Sequence, residues 1–365
     1  MNDSHYGFRL TACVWFFIAC GSFTAISPCI AQPSLNVGDP AGSMNALHRT
    51  ITAVAWDSLG AQIVAASDSQ LECIDPKSLQ SVRRLAVEMR KIAQLAFSAD
   101  GKYLLVAGGN PSETGSVELY DWPNGRLLAR HTSLSQKEPS GDSSGRKDTS
   151  FRDVVTSVCW LPDQSGWIEG SWQGLVLVRA LDGTVVTTFE GHSGPLLAVD
   201  CLDDQHAVSA GIDQTIRIWN RHDGTEVRSL DNHTGSVTWL QSKLNPSDST
   251  ALQLLSASAD STVRLWEPGI GRLVRFARLS SAPVVVCNSP TDLRFLVGLE
   301  NDSVLELDMR SLETKVLLET SHSELSQKNV ARDRIEAMLV VPALEQESPG
   351  EVIVWRQSGV SRLSH

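Results

Sequence analysis

Gly191-His192, Ser209, Asp213 and the run Ile216-Arg-Ile-Trp-Asn220 stand in one order. Asn232-His233, Ser256, Asp260 and Val263-Arg-Leu-Trp-Glu267 repeat that order one unit later. The repetition extends outward from this pair. Thr156-Ser-Val-Cys-Trp160, Leu197-Ala-Val-Asp-Cys201 and Thr238-Trp-Leu-Gln-Ser242 begin 41 residues apart, at positions 156, 197 and 238. Upstream, Thr52–Trp56 and Ala93–Phe97 stand one similar period apart; downstream, Val284–Asn288 and Ile335–Val340 continue the series across longer gaps. Seven starts predict seven units.

Each unit reads as short strands. In the fourth, Leu196–Cys201, Ala207–Ala210, Thr215–Trp219 and Glu226–Leu230 are strand-like runs, with a turn at Arg221–Gly224 before the last. Ile216 and Ile218 share one face of the third run and Arg217 takes the other, the period of two that a half-buried strand requires. Turn chemistry falls between runs at Ser98–Gly101, Pro123-Asn-Gly125, Asp182-Gly183 and Asp223-Gly224. Four short strands per roughly 40–45 residues is the blade of an all-β propeller. The units lack the 3.6-residue period of a helical solenoid.

On these residues the chain resembles the WD-repeat family. The resemblance implies that His192, Ser209, Asp213 and Trp219 form one buried hydrogen-bonded tetrad, and His233, Ser256, Asp260 and Trp266 a second. Other units depart from the pattern. Val117-Glu-Leu-Tyr-Asp121 has Tyr for Trp, and unit three has Glu169 at the Ser position and Arg179 at the Trp position. Units one and six, Asp68–Asp75 and Asn301–Asp308, lack the Trp. The seventh unit offers only Ile335–Val340, Glu351–Arg356 and Val360–Ser364. An open blade leaves an exposed edge, so the ring is expected to close with a strand from Ser34–Leu47, giving a propeller over 34–365.

The first 31 residues read differently. Arg9 precedes the apolar run Leu10–Ala19, and small residues follow to Ala31, the pattern of a secretory signal cleaved after Ala31 or near Ala19. Lipidation at Cys20 and an uncleaved anchor are the alternatives. Export to the periplasm or the extracellular space is therefore expected, with membrane contact only through such an anchor. Cys73, Cys159, Cys201 and Cys287 lie in strand-like runs without framework spacing and read as small buried hydrophobes. Asn2, Asn232 and Asn301 head N-x-[ST] matches; the last two fall in turns beside tetrad positions, which disfavours glycans.

A net charge of −11 without a Lys/Arg stripe disfavours nucleic acid as a partner. Gly141–Gly145 matches G-x-S-x-G but lacks the strand and helix a nucleophile elbow needs. No catalytic residue, metal site or cofactor is expected. Long polar insertions at His131–Asp153 and Ser321–Arg334, with the hairpin tip Asn110–Gly115, are expected on one face; Pro246–Ala251 and Ala343–Gly350 are expected as loops on the other. Trp172, Ile212, Ala259 and Glu300, with Ser67, precede the tetrad-Asp position and are candidate interface residues on the rim of the central opening. Function divides between a monomeric protein-interaction scaffold and a propeller enzyme, of hydrolase or lactonase type, with a site at the central opening.

Overall fold

The computed structural model describes residues 50–67, 69–122, 124–132, 153–245, 248–288, 293–318, 334–342, 351–357 and 359–364. They form seven antiparallel sheets in chain order, six of four strands and a last of three. This is a seven-bladed β-propeller. Blade four, for example, is Leu196–Cys201, His206–Gly211, Ile216–Asn220 and Glu226–Leu230, paired in that order. First strands of successive blades touch one another around the ring, so they line its inside.

Burial follows from this packing. Inner and middle strands have a neighbouring blade against each face, and Ala53–Asp57 is buried at every position. Fourth strands are the outer edges, and Ser81–Ala86 is mostly exposed. Apolar residues therefore run almost continuously through inner strands and alternate in outer ones. The cores between blades include Trp167, Trp219 and Trp266, all fully buried.

Six first strands carry an extra residue near their start, at Ala93, Thr156, Leu197, Thr238, Val284 and Glu336. Such a bulge sharpens the strand's twist. In blade seven the bulged residue also closes the ring: Glu336 Oε2 accepts from the Ile51 N–H at 2.9 Å. Val54 and Trp56 of blade one share a core there with Val340 and Trp355 of blade seven.

Five of the junctions are also joined at the outer rim, each in the same direction. An outer-strand side chain of one blade donates to a turn carbonyl between the third and fourth strands of the next. Arg83 Nη2 reaches Asn124 O at 2.5 Å, Thr187 Oγ1 reaches His222 O at 3.1 Å, and Arg228 Nη2 reaches Gly269 O at 3.3 Å. Arg275 continues the series to Met309 O, and Arg362 of the last strand carries it to Pro76 O at 2.6 Å. Gly125 and Gly271 shape two of the receiving turns. Both have a positive φ, and a Cβ at either would strike the incoming arginine.

Two expectations are corrected here. Pro246–Ala251 is not a simple loop, because strands Val237–Asn245 and Asp248–Ser258 continue as a long hairpin through most of it. Asp248 pairs with Asn245 and Leu252 with Leu244, so Ser249, Thr250 and Ala251 bulge from the ladder. The third strand of blade four runs one residue later, Ile216–Asn220, because Thr215 Oγ1 and N–H are drawn into the turn by Asp213 Oδ1 at 3.0 and 3.3 Å. Ser34–Leu47, the first 31 residues, Gly141–Gly145 and most of the other long insertions lie outside the described residues. Among the described residues the outer edge of Gly359–Ser364 has no strand partner.

Candidate functional site

The turns between second and third strands of blades three to six are built alike. Gly174 N–H donates to Ser171 O, Gln214 N–H to Gly211 O, Ser261 N–H to Ser258 O and Asp302 N–H to Leu299 O, at 3.0–3.2 Å. The last residue of each has a positive φ, as in a tight turn that ends on a left-handed residue. The residue after each second strand is pinned as well. Trp172, Ile212, Ala259 and Glu300 donate their N–H to Val154, Pro195, Ser236 and Ala282 O, at 2.9–3.0 Å. One backbone geometry thus fixes four different side chains along one face.

Ile212, Ala259 and Glu300 are exposed, Ile212 by 39%. Trp172 is half-buried. Ser67, at the matching place in blade one, is buried. The blade-two hairpin is longer: Asn110–Thr114 closes it, and its tip is held where Ser112 N–H meets Asp153 Oδ1 at 3.2 Å. The loop entering blade four fills the gap between two turns. A Cβ on Gly174 would approach Gly194 O, while Gly194 faces Ile212 and Asp213.

Beneath the arc lie the His–Asp pairs. His233 Nδ1 is 2.8 Å from Asp260 Oδ2, His233 Nε2 is 2.8 Å from Ser256 Oγ, and Trp266 Nε1 is 2.9 Å from the same Oγ. The carboxylate only accepts, so His233 donates through Nδ1, Ser256 donates to Nε2, and Trp266 donates to Ser256. In blade four His192 meets Asp213 at 2.9 Å and Ser209 at 2.8 Å. Trp219 does not join them. Its Nε1 is buried with no hydrogen-bond partner among the described residues, which corrects the expectation of two equivalent tetrads. Phe189 stacks on Trp219 at 5.2 Å with 3° between the planes. The next repeat has Leu230 there and leaves Trp266 free to turn toward its serine. Trp266→Phe should therefore cost about 1 kcal/mol more than Trp219→Phe. Equal losses in paired denaturant titrations would contradict this.

Burial pushes the Asp213 carboxyl up, but His192 and the Ser193 and Thr215 N–H groups outweigh it and hold it down at about 2. Burial likewise opposes Thr262, His233 and the Thr234 N–H at Asp260, which also settles at about 2. Both pKa values lie below the ordinary 3.8, so the stability they contribute is complete above 3.8 and is lost as pH falls through about 2. Melting temperature should drop across that acid window, and less steeply in Asp260→Asn. An identical pH profile in that variant would exclude the linkage.

Blades two and three hold other networks in the tetrad's place. Glu169 is buried; its Oε1 accepts from Arg179 Nε at 2.6 Å and its Oε2 from Trp167 Nε1 at 2.9 Å. The two residues that break the WD pattern in this unit thus pair with each other. In blade two Glu118 accepts from Tyr120 Oη at 2.6 Å and Arg130 Nε at 2.7 Å. Sequence reasoning missed this pair. The signal was present in the register that sets Glu118 opposite Arg130.

Cys73, Cys159, Cys201 and Cys287 are buried and free. Among the described residues no three His, Cys, Asp or Glu side chains gather as a metal site would require, and no helix is long and apolar enough to cross a membrane.

Fold and face together define a rigid propeller that displays side chains on repeated turns. The family model for the WD domain, G-beta repeat, matches residues 183–220 and 224–267. Each match begins with one blade's outer strand and runs through three strands of the next. The chain is therefore a seven-bladed β-propeller in which residues 183–220 and 224–267 match the WD40 repeat. It is similar to Ribosome biogenesis protein YTM1 of Kluyveromyces lactis, 34% identical over 27% of this chain and 23% of that protein. It is similar to Pre-mRNA-processing factor 17 of Saccharomyces cerevisiae, 30% identical over 39% of this chain and 31% of that protein. Telomerase protein component 1 of Mus musculus is 26% identical over 42% of this chain and 6% of its own length. The chain spans less than a third of each of these relatives.

Proposed function

We propose that this propeller is a non-catalytic protein-interaction platform whose binding face is the arc Trp172, Ile212, Ala259 and Glu300. The observation that carries this reading is the fourfold repetition of one pinned turn. A side chain held by a rigid backbone loses little freedom on binding, and an aromatic beside an aliphatic makes an interface anchor. The similar proteins lend support through their names, one of which is that of a component of a larger assembly. Nucleic acid is disfavoured by the net charge of −11, and the free chain is expected to be monomeric.

The N-terminal sequence adds a place. With Arg9, the apolar run to Ala19 and small residues to Ala31, the partner is proposed to be an exported or membrane-associated protein. Cell fractionation tests this: a mature chain lacking about 31 residues outside the cytoplasm is expected, and full-length chain retained inside would overturn it. Release by Cys20→Ala would distinguish lipid anchoring from cleavage.

For the face itself, cross-linking in native fractions should compare the intact chain with the double variant Trp172→Ala, Ile212→Glu. Loss of the intact chain's cross-links, with an unchanged circular dichroism spectrum, is expected. If the same partners cross-link equally well, the arc is not the binding face.

A further inference from the structure

Between blades five and six an opening of about 340 Å³ lies on the face opposite the arc, where third strands end and fourth strands begin. Leu265 and Val274 from blade five and Leu293 and Met309 from blade six give it apolar walls. Gln253 also lines it. That residue is 8% exposed, and its Oε1 has no hydrogen-bond partner among the described residues. A buried carbonyl without a donor is costly, and the missing donor is what a ligand would bring.

The seam is unlike its neighbours on the inner side too. At the preceding junctions a side chain of one inner strand accepts a backbone N–H of the next. Gln94 takes Val158 N–H at 2.7 Å, Ser157 takes Val199 N–H at 3.1 Å, and Asp200 takes Ser242 N–H at 2.6 Å. Gln241 stands one period of 41 residues after Asp200, and its buried Oε1 accepts nothing among the described residues. Blades five and six keep the shared core of Trp239 and Phe295 and the rim contact of Arg275 on the Met309 and Arg310 carbonyls.

The mouth is basic. Arg275 and Arg310 line it, and the carboxylate of Glu267 is already paired with Arg272 at 2.9 Å. No run of Lys and Arg in the sequence announces this, because the arginines come from two blades. On a chain of net charge −11, such a spot selects for carboxylates.

We propose that this cleft docks an acidic segment of a partner protein, anchored by an aromatic side chain whose N–H or O–H reaches the Gln253 carbonyl. An apolar body with a polar tip is what Trp and Tyr supply. The volume, near the lower end of ligand cavities (about 300–1,000 Å³), admits one such side chain rather than a whole strand. The site is separate from the Trp172 arc, so either can fail without the other.

The test uses the full chain and a fluorescein-labelled pentapeptide with a central tryptophan flanked by two glutamates on each side, read by anisotropy. Saturable binding is expected, about tenfold tighter than for the phenylalanine or lysine-flanked versions. Gln253→Leu should bring the tryptophan and phenylalanine peptides to parity, and Arg310→Glu, an exposed position, should weaken the acidic peptide about tenfold. Trp172→Ala should change nothing in this assay. The proposal is overturned by absence of saturable binding at millimolar peptide, or by unchanged affinities in both cleft variants. It is also overturned if a single-stranded oligonucleotide of equal charge competes as well as the peptide.

Discussion

Removal of residues 34–47 is expected to lower the melting temperature by about 10 °C or more, the largest loss foreseen for any change outside the described blades. The reason lies at the other end of the chain. Gly359–Ser364 is the last strand of a three-stranded sheet, while every other sheet has four. Val360 and Leu363, on its two faces, are only partly buried against the core that closes the ring. A fourth strand would cover them and supply about five backbone hydrogen bonds, each worth on the order of 1 kcal/mol net. In a domain of this size 1 kcal/mol corresponds to roughly 2–4 °C. Adding a peptide of residues 34–47 in trans should restore part of the loss. An unchanged melting temperature after the deletion would mean that another segment covers this edge, or none does.

The second large effect is expected in blade three. Glu169→Leu leaves the Arg179 guanidinium, itself 9% exposed, buried without its carboxylate. Breaking a buried pair from one side costs about 3–5 kcal/mol. Replacing both, as Glu169→Leu with Arg179→Met, should recover most of that loss, because two apolar side chains of similar bulk need no partners. Arg179 Nη1 also donates to Gly183 O at 2.8 Å, so the double variant should retain a small deficit. A double-mutant cycle in urea measures the coupling. If the double variant is as unstable as the sum of the single ones, the pair is not coupled as the geometry indicates.

The sequence carried the architecture because the architecture is repetitive. A period of 41 residues, glycine turns and paired Ile or Val positions are visible one unit at a time. So was the place of the arc, since the turns of blades three to six align residue for residue. What could not be read was contact between side chains distant in sequence, within a blade or across two. Nothing local shows that Phe189 captures Trp219 across a blade boundary, or that Glu169 and Arg179 are two halves of one substitution. The cleft between blades five and six was hidden for the same reason. Arg275 and Arg310 are far apart in the chain and meet only when the ring forms.

The outer-rim contacts give the ring a grammar. Four outer strands address the turns of their successors with three kinds of side chain: Arg83 for the turn at Gly125 and Arg228 for Gly271, the His131 ring over Gly183, and Thr187 for the turn at Gly224. A blade copied in place would meet a neighbour that does not answer it. Transposing blades two and five, which look interchangeable as isolated sheets, would set an arginine against a turn shaped for an imidazole. Cutting the circle between blades and rejoining the old ends respects every address. A circular permutant of this ring should therefore fold more readily than a variant with its blades reordered.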